Sequence, residues 1–163
     1  MLAFLRMARM PAPQIHSTSL RAYFEALTKA VFRTGSSPGV VEARWGGLTA
    51  AFEGFDPARV ASFTAQRIDG LMHEARMVRN RRKIEATIGN AAEMVAIDRA
   101  HRGFGNYLRS HGGTDELIED LKARFACLGD EGAIFFLEAV SDIWIARLRS
   151  PIPGMWTACP QLQ

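Results

Sequence analysis

Apolar residues recur every three or four positions along almost the whole chain, and this spacing is the strongest constraint on its fold. Leu20, Tyr23, Phe24, Leu27 and Val31 form one such stripe, and no convincing two-residue alternation of a β-strand is found. Each helix of this kind has to bury its stripe against a neighbour. The pattern predicts an all-α fold, a compact bundle of about seven helices.

Local start and stop signals divide the pattern into separate helices. The predicted helices, in chain order, are one begun by Ser17, Thr18 or Ser19, one from Val41 to Phe52, one from Pro57 to about Phe63, one capped by Thr64, one from residues 79–82 past Val95 and ended by residues 103–105, one capped by Thr114, and one from about Gly132 to Arg147. The last is apolar nearly all round, which predicts a place at the centre of the bundle.

The chain has 163 residues, the usual size of one domain. We expect a loose extension over residues 1–15, a single helical domain over 16–149 and a Pro-rich tail over 150–163. The first residues lack the unbroken apolar core of a signal peptide, and no run is long enough to span a membrane. These features predict a cytoplasmic protein with no membrane contact, and we expect it to be a monomer.

The cysteine and histidine inventory does not suggest a metal or a cofactor. Cys127 and Cys159 are expected to be reduced thiols, because two isolated cysteines make no disulfide framework. The four histidines show no metal-ligand spacing.

The segment 121–137 is typical of a helix, a tight turn and a second helix, with Gly129 and Gly132 at the bend. A helix-hairpin-helix of this kind binds a DNA phosphate through backbone amides at the start of its second helix. A Leu-Gly turn between helices is also ordinary fold chemistry, so both interpretations stay open. Asp130 and Glu131 lie in the same bend, where their charges repel a phosphate.

Five cations fall within eight residues and form a second candidate for DNA contact. They are Arg76, Arg79, Arg81, Arg82 and Lys83. Such a run can neutralise DNA phosphates, although a solvated helix start is the commoner explanation for a short basic run. Cations at a helix N-terminus oppose its dipole, and this cost favours a second purpose.

A third candidate is an aromatic pocket between the first two helices. Its side chains would be Tyr23, Phe24, Phe32 and Trp45. Aromatic rings stack on a flipped base, but they also form ordinary cores. Glu25 and Glu42 flank this region without a partner for nucleophilic catalysis, so the residues alone identify no catalytic group.

Three blocks of this chain resemble the DNA-3-methyladenine glycosylase I family of the helix-hairpin-helix glycosylase superfamily. Residues 77–91, MVRNRRKIEATIGNA, match the family pattern I-I-R-[HN]-R-x-K-I-x-A-x-I-x-N-A. Residues 52–61 match F-x-x-F-D-P-x-x-V-A, and the third block is the hairpin at Leu128-Gly129 followed by Phe136-Leu137. The likeness runs from about Tyr23 to Ser141.

The resemblance implies an all-helical enzyme that excises alkylated bases, chiefly 3-methyladenine, from a flipped nucleotide. It also implies base-pocket positions at Ala30, Gly35 and Pro38. Ala30 stands where the family has the glutamate that holds the base, and Pro38 where it has a stacking tryptophan. The family's zinc ligands are missing too, since His16 and Cys159 do not reproduce their spacing.

Three functions remain open after these departures. The chain is expected to be a divergent glycosylase of base-excision repair that acts on double-stranded, alkylated DNA, with Glu25 or Glu42 as substitute carboxylates. One alternative is a weak or inactive relative that binds damaged or abasic DNA. The other is a relative that has lost this activity and uses the fold for protein interaction. For all DNA-binding functions, the candidate contacts are Arg79, Arg81, Arg82, Lys83, Gly129 and Gly132.

Overall fold

The computed structural model describes residues 17–149, and it describes their side chains from residue 20 to 141. This part contains eight α-helices, one 3-10 turn and no strand, which confirms the all-α class. The elements are α1 (Ser17–Arg33), α2 (Pro38–Ala51), the 3-10 turn (Glu53–Phe55), α3 (Pro57–Val60), α4 (Ala65–His73), α5 (Arg81–Ala100), α6 (Phe104–Arg109), α7 (Thr114–Arg124) and α8 (Asp130–Arg149). The expected extension and tail lie outside the described residues.

The structure confirms the predicted helix starts at Asp56 and Thr64, where a polar side chain directly precedes the first turn. Asp56 Oδ1 accepts hydrogen bonds from the backbone amides of Ala58 (3.1 Å) and Arg59 (3.3 Å). Thr64 Oγ1 accepts one from the amide of Arg67 (3.3 Å). These bonds satisfy amides that have no partner inside the helix, which is why such residues mark helix starts.

Thr114 does not cap α7, contrary to the sequence prediction. It is the first helical residue, and Gly113 is the N-cap without a side-chain bond. Glu116 instead reaches back and accepts a hydrogen bond from the amide of Gly112 (3.0 Å). This bond joins the third residue of the helix to the residue before the N-cap, so the side-chain contact at this helix start comes from inside the helix.

The prediction that the longest helix ends at residues 103–105 was wrong by several positions. That helix, α5, ends at Ala100. Gly103, with a φ of 133°, is the N-cap of α6, a helix that was not predicted. The amide of Phe104 donates to Asp98 Oδ1 (2.9 Å), so a carboxylate near the end of one helix caps the next.

Helices α1 and α5 lie at the centre of the bundle, because each packs against several others. The prediction that α8 is central was wrong. Its inner face, with Phe136, Leu137 and Val140, is buried, but Ile134 on its outer side is 47% exposed. Although apolar residues occur all around this helix, other helices do not cover every side of its described part. The sequence of one helix does not show which of its sides will be covered.

No helix in the described part of the chain combines the length and the apolar character that a membrane crossing requires.

Candidate nucleic-acid interface

The predicted helix-hairpin-helix is present and is formed by α7, residues 125–129 and α8. Cys127 lies at the bend with a φ of 58°, in the left-handed region that few non-glycine residues adopt. Gly129 is exposed, and no atom would contact a Cβ placed on it. Its carbonyl accepts the first hydrogen bond of α8, from the amide of Ala133 (2.8 Å). The turn therefore presents the start of a 20-residue helix to the surface.

Asn90, on α5, anchors this turn, and the sequence analysis did not single it out. Its side chain accepts a hydrogen bond from the amide of Ala126 (2.8 Å) and donates one to the carbonyl of Ala126 (3.0 Å). The residue is 2% exposed. The available signal was an asparagine four residues before Met94, at the helical spacing of the apolar residues, since a buried amide requires partners.

Gly132 lies inside α8 and not in the bend where it was predicted. It is buried, and a Cβ there would lie 3.1 Å from Leu128 Cδ1 and 3.2 Å from Thr34 Oγ1. The absence of a side chain lets α8 approach the end of α1. Gly132 therefore has a role in helix packing. Of the two glycines predicted to contact DNA, only Gly129 is exposed.

The acidic residues that follow the turn are partly neutralised. Lys122 Nζ lies 2.6 Å from Asp130 Oδ1 and 2.9 Å from Glu119 Oε1. The hydrogen bond to Asp130, followed by that to Glu119, raises the pKa of Lys122. The carboxylate of Asp130 is thus drawn toward α7, which reduces the repulsion expected at the bend.

The predicted basic residues around the start of α5 differ in their exposure and in their ion pairs. Arg79 and Arg82 are exposed, and neither forms an ion pair with any side chain that the structure describes. Arg81 is paired with Asp69 and with Glu85 (3.2 Å). Arg76 is likewise exposed, so Arg76, Arg79 and Arg82 are the arginines of this cluster that form no ion pair with the described side chains.

Lys83 is buried, with 8% of its surface exposed. Its Nζ donates hydrogen bonds to the carbonyl oxygens of Phe32 (2.9 Å) and Thr34. A third bond goes to Ser36 Oγ (3.0 Å). Burial lowers the pKa of Lys83, and the neighbouring Cys127 opposes that shift. Lys83 holds the end of α1 against α5, a role that a run of basic residues does not reveal.

A cleft of about 540 Å³ lies between the end of α1, the start of α5 and the hairpin turn. Its walls are formed by Thr34, Gly35, Asn80, Arg82, Lys83, Lys122 and residues 125–129. It brings together one predicted base-pocket position, two predicted basic residues and one predicted hairpin glycine. Among the other residues of this wall, the polar side chains of Thr34, Asn80, Lys122 and Cys127 were not predicted as site residues.

The other two base-pocket positions do not line this cleft. Ala30 is 1% exposed, and its carbonyl oxygen lies 3.8 Å from a Cβ built on Gly132 of α8. Pro38 is exposed at the first position of α2. Ala30 thus occupies packed interior, while Gly35 forms part of the cleft.

The aromatic residues between α1 and α2 form core rather than an open pocket. Tyr23, Phe24 and Phe32 are buried, and the ring of Trp45 stacks on Phe55 at 5.1 Å. These contacts hold α2 and the 3-10 turn against α1.

The two candidate carboxylates are held on this same α1–α2 face. Trp45 Nε1 donates to Glu25 Oε1 (3.2 Å), and Lys29 Nζ lies 2.8 Å from Glu42 Oε1. The hydrogen bond from Lys29 lowers the pKa of Glu42. Neither carboxylate lines the cleft described above.

The residues described here do not fit the zinc site of the resembled family. No group of three or more His, Cys, Asp or Glu side chains converges as metal ligands between residues 20 and 141. His111 is engaged by Asp120 Oδ2 (2.9 Å) and by the carbonyl of Tyr107 (3.0 Å). His16 and Cys159 lie outside the described residues.

Comparisons with known proteins agree with this architecture. The sequence model of the methyladenine glycosylase family matches residues 14–127. The DNA-3-methyladenine glycosylase of Haemophilus influenzae is 31% identical over 71 residues, which are 44% of this chain and 38% of that protein. The match therefore spans well under half the length of this curated relative.

Solved structures of the same family have a similar fold. A 3-methyladenine DNA glycosylase I in complex with 3-methyladenine superposes with a TM-score of 0.67 and 28% identity, covering 80% of each chain. The enzyme from Staphylococcus aureus gives a TM-score of 0.66 and 27% identity, over 74% of this chain and 76% of that one. The family match covers more than two thirds of the sequence, and the chain belongs to the methyladenine glycosylase family.

Proposed function

We propose that this protein is a divergent DNA-3-methyladenine glycosylase I-like protein of base-excision repair, which binds alkylated double-stranded DNA and hydrolyses the N-glycosidic bond of the damaged nucleotide. The observation that carries this proposal is the placement of an exposed hairpin glycine, Gly129, and the uncommitted arginine Arg82 around one cleft. Arg79 lies three residues before Arg82 and adds a second uncommitted charge. This arrangement suits a phosphate backbone.

Cleavage of the N-glycosidic bond needs little assistance from the protein when the base is cationic, because a cationic base is a good leaving group. The bond between the sugar and the base nitrogen breaks, its electron pair neutralises the departing base, and water adds to the sugar carbon with loss of a proton. A carboxylate beside the base lowers the barrier by about 2–4 kcal/mol, so its absence at Ala30 slows release by roughly 30- to 1000-fold. Excision by this chain is therefore slow and weakly selective for 3-methyladenine.

The test is base release from methylated duplex DNA, measured by chromatography of the free bases. The protein should release 3-methyladenine above a control without protein, and replacing both Arg79 and Arg82 with Gln should reduce release at subsaturating DNA. Release equal to the spontaneous rate at saturating protein contradicts the enzymatic function.

A second candidate is a relative that binds damaged or abasic DNA without excising a base. The tight packing around Ala30 and the lack of any carboxylate in the cleft wall favour it. It predicts micromolar or tighter binding to abasic-site DNA with a clear salt dependence, and no base release. A protein with neither DNA binding nor base release would instead fit the use of the fold for protein interaction.

We further infer that the protein acts as a cytoplasmic monomer. The solvent-exposed charges on α5 and α7 support a free surface there, and half-buried Cys127 suits a reducing compartment. Light scattering after size exclusion should give the mass of one chain, 18.0 kDa. A stable mass of twice that value would contradict the monomer.

A further inference from the structure

The charged side chains in the wall of the cleft between α1, α5 and the hairpin turn are all positive. They are Arg82, Lys83 and Lys122, and no Asp or Glu of the described chain forms part of this wall. Lys122 is compensated by Asp130 and Glu119, which lie outside the wall. Arg82 is exposed and forms no ion pair with the described side chains. The net charge that faces the cleft is therefore positive.

Lys83 contributes a positive charge that water screens poorly. Its Nζ donates to three neutral acceptors, the carbonyls of Phe32 and Thr34 and the hydroxyl of Ser36. The two carbonyls lie in the last turn of α1 or directly after it, where the helix dipole supplies negative potential. That dipole is equivalent to about half of a unit charge, so roughly half of the charge of Lys83 is left uncompensated behind the wall. Solvent and salt screen a buried charge less than an exposed one.

The polar side chains of the wall offer more hydrogen-bond donors than acceptors to a ligand. Asn80 Oδ1 accepts the amide of Lys83 (3.2 Å) as the cap of α5, which leaves Nδ2 of Asn80 as a donor. Thr34 Oγ1 donates to the carbonyl of Ala30 (3.0 Å), so a ligand can use it only as an acceptor. The guanidinium of Arg82 is a donor only. These groups suit a ligand edge that carries carbonyl oxygens.

The cleft has the size and the position to receive one base turned out of a duplex. Its volume of about 540 Å³ falls in the range of about 300–1,000 Å³ that small-molecule sites occupy. Phe125 and Leu128 give the wall an apolar part. In the proposed function the adjoining hairpin engages the DNA strand, so a base rotated out of the stack can enter the cleft.

The charge of the base determines whether a positive wall favours or opposes its release. A base that is cationic in the nucleotide, as 3-methyladenine is, is repelled when it enters the cleft. A neutral base leaves with the electron pair of the glycosidic bond and is an anion until it takes up a proton. Water adds to the sugar carbon and releases the balancing proton. Positive charge beside the leaving group therefore stabilises the transition state for a neutral base.

We infer that this cleft selects bases that are neutral in the nucleotide and leave as anions, in particular the oxo bases that deamination produces, such as hypoxanthine and uracil. Arg82 determines this specificity as a donor to the carbonyl oxygens of the base, and Lys83 as a charge behind the wall. The inference rests on the proposed function, because it names a further substrate class for the same hydrolysis.

The first experiment measures base release from duplexes with one hypoxanthine or uracil and from methylated duplex DNA, under single-turnover conditions. Each rate is divided by the spontaneous rate of the same lesion. This enhancement should be about tenfold greater for at least one oxo base than for 3-methyladenine, as expected for a unit charge about 10 Å away near a protein surface. A larger enhancement for 3-methyladenine would overturn the inference and leave the proposed function intact.

Two arginine variants separate selection of the base from binding of DNA. Arg79 and Arg82 are both exposed without an ion pair among the described side chains, but only Arg82 lines the cleft. Loss of either charge weakens DNA binding and lowers the release of every base alike. Arg82→Gln should also lower the ratio of hypoxanthine to 3-methyladenine release about tenfold, while Arg79→Gln keeps it within about twofold. The same ratio in both variants would contradict the role of Arg82.

A second experiment probes the cleft without excision, through the half-buried thiol of Cys127 in its wall. In a Cys159→Ser background, alkylation by iodoacetamide is followed with urate, an oxopurine anion at neutral pH, or with 1-methylnicotinamide, a flat ring of permanent positive charge. Urate should slow alkylation severalfold, the cationic ring should not, and Arg82→Gln should remove the protection by urate. Protection by the cationic ring alone, or by neither, would overturn the inference. This result does not depend on base release, so the two proposals fail separately.

Discussion

Two buried polar side chains of α5 hold neighbouring backbone segments in place. Asn90 forms two hydrogen bonds with the backbone of Ala126, and Lys83 holds the residues that follow α1. Both lie on α5, inside the segment 77–91 that resembles the family. The polar positions of that segment therefore include anchors for two neighbouring backbone segments, in addition to exposed cations.

Replacing Asn90 with Ala should lower the free energy of unfolding by about 1–3 kcal/mol, because two backbone groups of Ala126 lose their partner. It should also weaken DNA binding, since the turn before Gly129 is no longer held. Denaturant unfolding and duplex titration measure the two effects. Asn106→Ala is the matched control: Asn106 also bonds backbone carbonyls, those of His101 and Arg102, but far along the chain from the turn. Equal loss of DNA affinity in both variants would contradict the anchoring role.

Asp120 links α6, α7 and the loop between them. It accepts hydrogen bonds from Tyr107 (2.9 Å), His111 (2.9 Å) and Arg124 (3.1 Å). Burial alone would raise the pKa of Asp120, but the bonds from His111, Tyr107 and Arg124 outweigh burial and lower it. Burial, followed by the bond to Asp120, raises the pKa of Tyr107.

The lowered pKa of Asp120 predicts a specific loss of stability in acid. A carboxyl group whose folded pKa lies below its unfolded value stabilises the fold above the unfolded pKa, about 4, and loses that contribution as the pH falls through the folded pKa. Asp120→Asn should reduce the free energy of unfolding by about 1–3 kcal/mol at pH 7 and flatten its decline below pH 4. Asp115→Asn, an exposed change in the same helix, should retain the wild-type decline. Parallel pH profiles for the wild type and Asp120→Asn would contradict this.

Among the helices, α2 positions the segment that leads into α5. Arg44 on α2 donates to the carbonyl of Met77 (2.6 Å), and Gly47 faces the backbone of Arg76. A Cβ on Gly47 would lie 2.7 Å from the Arg76 carbonyl oxygen, whereas one on Gly46 meets no atom within 4 Å. The close approach depends on one of two adjacent glycines.

Gly47→Ala should therefore destabilise the protein by about 1–3 kcal/mol, because backbone atoms have to move apart. Gly46→Ala, one position earlier in the same helix, should stabilise it by about 0.5–1 kcal/mol through helix propensity. Thermal and denaturant unfolding compare the pair directly. An identical sign for both variants would show that α2 does not pack on the 74–80 segment as described.

The packing of the helices determines whether a base pocket can form at the positions that the resemblance implies. Ala30 is buried in the helix that packs on α8, while the cleft found among the described residues lies beside Thr34 and Gly35. The family positions share a stretch of sequence, yet the structure separates Ala30 from the cleft.

Restoring the family residue by Ala30→Glu should therefore not restore rapid base release. A carboxylate forced into this packed interior should cost about 2–4 kcal/mol of stability. Ala92→Glu, an exposed substitution on α5, should leave stability nearly unchanged. A stable Ala30→Glu variant with base release raised a hundredfold would show that the pocket is open at this position.

The sequence alone determined the helical class, the start signals at Asp56 and Thr64, the hairpin and the family. Each of these depends on residues a few positions apart: a stripe on one helix face, a side chain that reaches an amide two or three residues on, or a contiguous motif. Thr114 shows the limit even at this range, because Gly112 and Glu116 formed the competing contact.

Only the tertiary structure decided which cations are free, which glycine is exposed and where the cavity lies. Arg81, Arg82 and Lys83 are neighbours in sequence, but successive helical positions point in different directions and meet different elements. One is paired with acids of α4 and α5, one is exposed beside the cleft, and one is buried under α1. Those differences arise from contacts across as many as 51 positions, so no local pattern records them.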